Sequence, residues 1–517
     1  SECVIQVVGK VIERSNKNTK IPTGEIEVEA EKIEILGKCK TVLPFEVNSD
    51  KTGEVKEDLR LEYRFLDLRN DKLHKTILLR NEVMKTLRKK MDEMGFTEIQ
   101  TPILANSSPE GARDYLVPSR IHPGEFYALP QAPQQFKQLL MVSGIDKYFQ
   151  IAPCFRDEDA RADRCPGEFY QLDMEMSYAT QEDVFSAIEP VIYNTFSKFS
   201  SKKIAKYPFP RIAYKESILK YGTDKPDLRN PLYIIDLSEF FKQCTFKPFI
   251  NRTVRAIKVN KHLSKGFHEK MLEYAMSLGM PGLGYLEVQE DMSLKGPIDK
   301  FIPVDLKKEL IKIADLKSED TIFFIANNEK RAAELAGQIR TELGKRLELI
   351  DENSFQFAWI VDFPMYELEE DEKITFCHNP FSMPQGGMEA LLTKNPLEIL
   401  AYQYDIVCNG IELSSGAVRN HDPEIMVKAF EIAGYTKKDI EEKFSALFNA
   451  FQYGAPPHAG IAPGVDRMLM LLTDAENIRE VIAFPMNSKA EDLMMGAPGF
   501  VTKEQLRELN IRITETK

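Results

Sequence analysis

The sequence has few features of a secreted or membrane protein. Its 517 residues include only seven cysteines, which are scattered without a C-x-x-C pair or a histidine at metal-ligand spacing. Neither a disulfide framework nor a zinc site is therefore expected. No apolar run approaches the roughly 18 residues needed to cross a bilayer, and the first residues do not form a signal segment. These absences predict a cytoplasmic protein with no membrane partner.

Positive charge is also in short supply. The 68 Lys and Arg residues stand against 80 Asp and Glu residues, which leaves a net charge of −12. This balance argues against DNA as a partner, but RNA binding needs only a local basic face. The sequence begins without methionine, and residues 4–8 read as a strand entered midway. We therefore expect a further N-terminal piece to precede it.

The order of patterns along the chain predicts an α+β protein with several domains. Residues 1–46 alternate apolar and polar positions, as in a small β module, and residues 47–65 form a charged linker or hinge. Residues 66–225 include a long amphipathic helix. Residues 226–345 carry mixed helices and strands without a chemical motif, which is typical of an inserted domain. Residues 346–517 then return to the strands and long helices of the main domain.

Two segments, 147–158 and 168–176, predict antiparallel strands joined by a polar loop. In the second strand, period-two alternation gives a core face of Tyr170, Leu172, Met174 and Met176. The opposite face is polar and consists of Phe169, Gln171, Asp173 and Glu175. In the first strand, Arg156 and Glu158 share a face. Ordinary solvated ion pairs explain such a pattern, but a buried polar row favours a ligand with an ammonium or other cationic group.

A helix is predicted to begin at Pro133, because proline is favoured at the first helical position. Gln134 and Lys137 then lie on one face of its first turns. Lys137 would meet an anion there, although a lysine in a first turn is more often solvated. The helix alone therefore leaves open whether these two residues bind a ligand.

Asn409-Gly410 lies between two strand-like runs and predicts a two-residue hairpin turn. Val407 then pairs with Glu412, and Asp405 pairs with Ser414. In this register Asp405 and Glu412 are diagonal neighbours on one face, about 7–8 Å apart. That spacing suits Mg²⁺ between two carboxylates and a phosphate chain, although two surface carboxylates explain it equally well.

Two arginines follow this hairpin. Strict alternation puts Arg419 on the face opposite the carboxylates, so Arg419 joins them only if a β-bulge occurs near residues 415–416. A Gly- and Pro-rich loop then leads into an apolar helix at residues 464–472. This arrangement places Arg467 near the helix start, where its charge and the helix dipole both face a phosphate.

Taken together, these segments resemble the three signature motifs of class II aminoacyl-tRNA synthetases. The first motif is the long helix followed by Gly95-Phe96 and Thr101-Pro102, and the second runs from Phe155-Arg156-Asp157-Glu158 to Phe169. The third is Gly464-Val465-Asp466-Arg467. Four further segments are similar to the bacterial aspartyl enzymes, namely 109–119, 221–227, 295–297 and 361–364. The resemblance covers nearly the whole chain, including an insertion between the second and third motifs.

The resemblance implies a fold and an activity. The fold is an antiparallel class II sheet with flanking helices, a partial OB-fold anticodon-binding module at 1–46 and an inserted α+β domain. The activity is ATP-dependent conversion of L-aspartate to aspartyl-adenylate and transfer to the 3′ end of tRNA-Asp, with tRNA-Asn left open. The family forms homodimers through the first-motif helix, which implies an interface at Met84, Leu87, Met91 and Thr101-Pro102.

The resemblance further implies an ATP site that uses Mg²⁺. Arg156 would hold the α-phosphate, Phe169 would stack under adenine, and Glu158 would help to fix the base. Arg467 would bind the γ-phosphate. The Mg²⁺ ligands would be Asp405 and Glu412. The ATP site would be completed by Asp157, Gly464, Val465 and Asp466. The catalytic residues would be Arg156, Glu412 and Arg467.

An aspartate site is implied next to the ATP site. Glu110 would lie on a loop that closes over the amino acid. Gln134 and Asp173 would receive its ammonium group, and Arg156 its α-carboxylate. The residues implied for its side-chain carboxylate are Lys137, His378 and Arg419. No protein nucleophile is needed, because the substrate carboxylate itself attacks the α-phosphate.

Three positions depart from the family pattern. Where the family usually has two histidines in a row, this sequence has His378-Asn379, and where it usually has a serine before Pro133, this sequence has Ala132. In addition, Gly167 lengthens the loop of the second motif. Because of the first change, only His378 carries over from the pair, and the second change removes one possible partner of the ammonium group. The third bears on contact with the tRNA acceptor end.

Two other functions remain open from sequence alone. A relative of this lineage makes asparagine without tRNA, but such relatives lack an anticodon module, and part of one is present here. A catalytically inactive tRNA-binding protein is the other alternative. Such a protein would not be expected to keep Arg156, Glu412, Arg419 and Arg467 together.

Overall fold

The structure of the chain, a computed structural model, divides into two units, residues 1–74 and 75–517. The residues it describes are 2–19, 21–48, 54–107, 112–369 and 372–514. Within these ranges, no helix is both long enough and apolar enough to cross a membrane.

A β-hairpin accounts for most of the first unit. Strand β1 (Val4–Glu13) pairs antiparallel with β2 (Ile26–Gly37), and the side chains of both strands are largely exposed. Two short helices follow, α1 (Glu57–Glu62) and α2 (Arg64–Asp67). The buried residues of this unit form a small core, Phe45, Val47 and Leu66. Helical structure therefore occupies part of the range interpreted as a linker.

Residues 75–517 alternate strands and helices. The strands are β3 (Thr97–Glu98), β4 (Leu116–Pro118), β5 (Phe126–Ala128), β6 (Lys147–Arg156), β7 (Gly167–Ser177), β8 (Lys203–Ile204), β9 (Arg211–Ala213), β10 (Ile234–Asp236), β11 (Thr253–Val259), β12 (Gly284–Val288), β13 (Leu294–Lys295), β14 (Thr321–Asn327), β15 (Ser354–Phe355), β16 (Phe357–Val361), β17 (Tyr366–Leu368), β18 (Ile374–Phe376), β19 (Gln403–Cys408), β20 (Ile411–Val418) and β21 (His458–Ile461). The helices are α3 (Asp71–Glu93), which begins in the first unit, α4 (Gln134–Val142), α5 (Gln181–Phe199), α6 (Tyr214–Tyr221), α7 (Ser238–Phe241), α8 (Lys265–Ser277), α9 (Val304–Ile313), α10 (Glu329–Arg346), α11 (Gly387–Thr393), α12 (Pro423–Ile432), α13 (Lys437–Lys443), α14 (Ser445–Phe451), α15 (Val465–Thr473) and α16 (Lys503–Glu508).

The main sheet has eight strands in the order β3-β6-β7-β21-β20-β19-β16-β9. Its central pairs are antiparallel. Both edge pairs, β3 with β6 and β16 with β9, are parallel. The predicted α+β fold with an antiparallel sheet is therefore confirmed, with parallel pairing added at the two edges.

Helices α3, α5 and α15 supply apolar side chains to one large core together with the sheet. Gly95, with φ +77°, lies just beyond the end of α3, as the helix prediction required. Leu87 and Met91 are fully buried in this core. These two side chains pack inside their own chain, so a two-fold interface at or near this helix would not be formed by them directly, and the dimer itself stays a prediction.

A second sheet lies within the range interpreted as an insertion. Its strand order is β10-β11-β14-β12-β13, and its two faces have separate apolar cores. Arg340 of α10 is almost fully buried and donates to the carbonyls of Leu232 at 2.6 Å and Asn230 at 2.7 Å. These bonds tie the segment before β10 to the long helix α10.

Candidate active site

The predicted pair of antiparallel strands is present as β6 and β7. The two faces of β7 differ as alternation requires. Leu172 and Met174 lie in the apolar core, whereas Asp173 and Glu175 are equally buried but contact charged side chains. A buried carboxylate is stable only with such partners, so this polar face indicates a candidate ligand-binding site.

A cavity of about 270 Å³ opens beside the ends of these strands. Its walls include most of the residues predicted to bind ATP, namely Arg156, Glu158, Phe169, Glu412, Gly464, Asp466 and Arg467. The Arg156 guanidinium lies over the Phe169 ring, 5.0 Å from its centroid. Two predicted members lie elsewhere. Val465 is buried in the apolar core, and Asp157 is half-exposed and pairs with Arg113 at 3.5 Å.

The arginine of the third motif is held at the start of α15, as predicted. Arg467 Nη1 donates to the Glu412 carbonyl oxygen at 2.6 Å, and Nη2 lies 3.3 Å from Asp163. Across the cavity, Glu158 forms an ion pair with Arg164 at 2.7 Å. The cavity wall carries five basic side chains, Arg156, Arg161, Arg164, Lys225 and Arg467, alongside acidic ones, and the basic groups are suited to binding a polyphosphate.

The Asp466 carboxylate is occupied by contacts within the protein. One oxygen pairs with Arg80 of α3, and the other accepts the backbone N–H of Tyr170 at 2.9 Å. The residue is 2% exposed. It therefore joins α3, β7 and α15 beneath the cavity.

We expect Asp466→Asn to lower the free energy of unfolding by about 3 kcal/mol, because it breaks a buried ion pair. The KM for ATP should change little. Asp474→Asn is the matched control, since Asp474 pairs with Lys202 at the exposed end of the same helix. Thermal and urea unfolding measure both variants. A large rise in KM for ATP without loss of stability would contradict this role.

The hairpin at Asn409-Gly410 is confirmed, and Val407 pairs with Glu412 as predicted. The predicted pairing of Asp405 with Ser414 is wrong, because Asp405 pairs with Ser415. The register shifts between Ile406 and Val407, so no residue of β19 lies opposite Leu413. A bulge was required to bring Arg419 onto the site face, and it occurs here, two residues before the expected place.

The carboxylates near this bulge form a cluster. Asp405 is fully buried, and neither of its oxygens has a partner with good hydrogen-bond geometry in the described part of the chain, although the Ser415 side chain is close enough to oppose the rise in its pKa. Burial, followed by the charge of Glu412, raises the pKa of Asp405 well above its ordinary value. Burial alone would raise the pKa of Glu412, but Lys225 and Arg467 lower it to about 2.

These residues fit the predicted Mg²⁺ ligands. A nearby cation would stabilise the ionised form of a buried carboxyl group whose pKa is raised, and oxygen donors are the ligands that Mg²⁺ prefers. Ligand atoms of Asp224, His378 and Asp405 also lie within 4.8 Å of one another. His378 therefore lies on the carboxylate side of the site. Its ring meets the Phe363 ring edge-on, with 5.1 Å between the two centroids, and the loss of contact with water lowers its pKa.

Two residues of this cluster were not assigned from the sequence. Lys225 Nζ lies 3.0 Å from Glu412 and 3.0 Å from Asp224. Asp224 and Lys225 both belong to segment 221–227. This segment resembles the family but has no periodic pattern that indicates a site. Only its similarity to the family marked it.

Three ion pairs among four side chains form the buried end of the site. Lys137 Nζ lies 2.8 Å from Asp173 and 3.6 Å from Glu175. Arg419 donates to both oxygens of Glu175, at 2.9 and 3.2 Å. All four side chains are at most 3% exposed. Lys137 is thus not solvated, and the predicted aspartate residues Lys137, Asp173 and Arg419 lie together.

This network contains two cationic and two acidic side chains, and the pKa values of the two acids shift in opposite directions. Burial raises the pKa of Asp173 in spite of Lys137. For Glu175 burial acts in the same direction, but Arg419 and Lys137 outweigh it and lower the pKa. Asp173 Oδ1 has no partner among the described residues. A ligand carrying both an ammonium group and carboxylates would complement this set.

Helix α4 begins one residue later than predicted, at Gln134, with Pro133 before its first turn. Gln134 is buried beside Lys137, and its Nε2 donates to Gln138 at 2.9 Å. Glu110, predicted on a closing loop, lies outside the described residues.

Comparison with known proteins agrees with this geometry. The sequence profile of "tRNA synthetases class II (D, K and N)" matches residues 56–488. An aspartate--tRNA(Asp/Asn) ligase of Rickettsia bellii is 55% identical over 527 residues, covering 99% of this chain and 87% of the relative. One from Ehrlichia chaffeensis is 56% identical over 524 residues, covering 99% and 88%.

Solved structures share the fold at low identity. An aspartyl-tRNA synthetase from Entamoeba histolytica matches with a TM-score of 0.54 and 18% identity, covering 94% of this chain and 77% of that one. An asparaginyl-tRNA synthetase from Pyrococcus horikoshii, complexed with asparaginyl-adenylate, matches with a TM-score of 0.52 and 15% identity, covering 94% and 82%. By its sequence profile and by relatives aligned over almost its whole length, this chain belongs to the class II tRNA synthetases of the D, K and N group.

Proposed function

We propose that this protein activates L-aspartate with ATP and transfers the aspartyl group to the 3′ end of tRNA-Asp. The observation that carries the proposal is the buried network of Lys137, Asp173, Glu175 and Arg419 next to a cavity with arginines. The names of the relatives, aspartate--tRNA(Asp/Asn) ligase, support tRNA-Asn as a second acceptor.

The network supports aspartate as the amino acid. Arg419 uses Nε and Nη2 on Glu175, and no described residue takes a hydrogen bond from its Nη1. That group and Lys137 are donors for the side-chain carboxylate. Asp173 Oδ1 and the amide oxygen of Gln134 are acceptors for the ammonium group. Aspartate supplies both kinds of group.

The cavity walls support the activation step. The aspartate α-carboxylate attacks the α-phosphate, a new carboxylate–phosphorus bond forms, and pyrophosphate leaves. Arg156 would bind the α-phosphate and Arg467 the γ-phosphate, and Phe169 would pack on adenine. Mg²⁺ held by Asp405 and Glu412 would neutralise phosphate charge. The protein contributes position and charge, not a nucleophile.

The assembly and location are also proposed. We place the enzyme in the cytoplasm, where charged tRNA is consumed. A homodimer would use the outer side of α3, where Leu78 is 53% exposed, together with Thr101-Pro102. Residues 1–46 would contribute to anticodon binding. Sedimentation of the active enzyme tests the dimer, and an active monomer would contradict it.

The amino acid can be tested by ATP–pyrophosphate exchange with each amino acid in turn. We expect aspartate to support exchange and asparagine to be rejected on the order of 10⁴-fold or more, because an amide turns a donor toward Lys137 or Arg419. Discrimination between aspartate and asparagine of less than about tenfold, or ~1.4 kcal/mol, would contradict the proposed pocket.

A further inference from the structure

A buried row of polar side chains lies behind the proposed ammonium site. It consists of Gln134, Gln138 and His458, which are 5%, 0% and 0% exposed. Gln134 and Gln138 lie one turn apart on α4, and His458 is the first residue of β21. Of the three, only Gln134 has a role in the function proposed above. The row therefore connects that residue to a histidine on another element.

The hydrogen positions in this row follow from one carbonyl. His458 Nδ1 lies 2.8 Å from the Pro456 carbonyl oxygen, which can only accept, so Nδ1 carries a hydrogen. Burial lowers the pKa of His458, although the nearby Glu175 opposes this effect. The ring is therefore neutral, and its Nε2 is an acceptor.

The orientation of both amides then follows. Gln138 Nε2 lies 3.0 Å from His458 Nε2, and a donor is required there because the ring nitrogen accepts. Gln138 Oε1 consequently faces α4, where it accepts from Gln134 Nε2 at 2.9 Å. The Gln134 amide therefore uses its nitrogen in this row, and its oxygen remains available to accept a hydrogen bond. No residue in the described part of the chain donates to that oxygen.

We propose that His458 is a positioning residue for amino-acid recognition, which acts through Gln138 to turn the oxygen of Gln134 toward the substrate ammonium group. This inference rests on the proposed function, in which Gln134 receives that group. A side-chain amide has nearly the same shape in both orientations, but only its oxygen binds an ammonium group. The flipped amide would replace a charge-assisted hydrogen bond with two facing donors.

Two substitutions at His458 separate this role from packing. In His458→Gln, the terminal amide reaches the place of Nε2 and offers an oxygen to Gln138. In His458→Asn, the shorter side chain reaches only the place of Nδ1. Gln138→Leu breaks the same connection without altering β21, and it carries the test if the asparagine variant does not fold. Calorimetry on the full chain measures L-aspartate and succinate, which is aspartate without its amino group.

We expect His458→Asn and Gln138→Leu to weaken aspartate binding about tenfold to a hundredfold, the effect of one charge-assisted hydrogen bond. Succinate and ATP affinities should stay close to wild type, and His458→Gln should retain aspartate binding. Equal weakening of aspartate and succinate, or unchanged aspartate binding in both disrupting variants, would overturn the inference. Wild-type protein that does not prefer aspartate to succinate would instead overturn the proposed function itself.

Discussion

Replacing Arg419 with glutamine is expected to reduce aspartate-dependent pyrophosphate exchange by a factor on the order of 10³ or more. The guanidinium is the only group in the site that spans Glu175 with two bonds and still has a donor free for the substrate, among the residues described. Glutamine replaces this cation with a neutral amide. Binding of ATP should survive, because Arg156 and Arg467 line the cavity and Arg419 does not.

Arg419→Gln also leaves Glu175 buried with Lys137 as its one ion-pair partner among the described residues, so loss of folding must be separated from loss of substrate binding. Breaking such a pair is expected to lower the free energy of unfolding by about 3–5 kcal/mol. Adding Glu175→Gln removes the unpaired charge and should restore most of this stability. Exchange should remain absent in the double variant. If the double variant regains exchange, or the single variant keeps it within about tenfold of wild type, Arg419 does not anchor the carboxylate.

Asp405→Asn is expected to abolish exchange while raising the melting temperature of the nucleotide-free enzyme. The carboxyl group is buried, has no partner with good hydrogen-bond geometry among the described residues, and has a raised pKa, so its ionisation at neutral pH destabilises the folded state. Asparagine removes that penalty, which should raise Tm by about 1–3 °C. It also removes a proposed oxygen ligand for Mg²⁺, so we expect a loss of exchange on the order of 10³-fold.

The sign of this stability effect depends on pH. A carboxyl group with a raised pKa destabilises the fold above its unfolded pKa, so the advantage of Asp405→Asn should narrow as pH decreases toward that value. Glu412→Gln is the contrasting control. The pKa of Glu412 is lowered to about 2, so its ion pair with Lys225 stabilises the fold at neutral pH and is lost only in acid. This variant should lose both exchange and stability. A lower Tm for Asp405→Asn would contradict the argument.

Local sequence patterns predicted the strands and the turn of the site correctly. The alternation in β7 and the Asn409-Gly410 turn are short-range signals, and both are present in the structure. The position of the bulge was not predictable in this way. Leu413 is the unpaired residue and is 1% exposed in the core. The residue that is left unpaired in a sheet depends on how the side chains pack in the core. Alternation along one strand does not contain that information.

Burial and pairing of charged residues were the least predictable features. Lys137 reads as a solvated lysine in a first helical turn, because its partners Asp173 and Glu175 belong to a different element. Lys225 gave no signal of its own, since its contact with Glu412 joins two distant segments. The same holds for the row from Gln134 to His458. Such contacts become visible only when α4, β7 and β21 are placed together.

The central claim is that this chain joins aspartate to tRNA, and aminoacylation of purified tRNA tests it most directly. The measurement uses radiolabelled aspartate, ATP, Mg²⁺ and purified tRNA-Asp, tRNA-Asn and an unrelated tRNA. We predict ATP-dependent attachment of aspartate to tRNA-Asp and to tRNA-Asn, and none to the unrelated tRNA. Aspartate that is activated but never transferred to tRNA-Asp, or transfer of a different amino acid, would contradict the account.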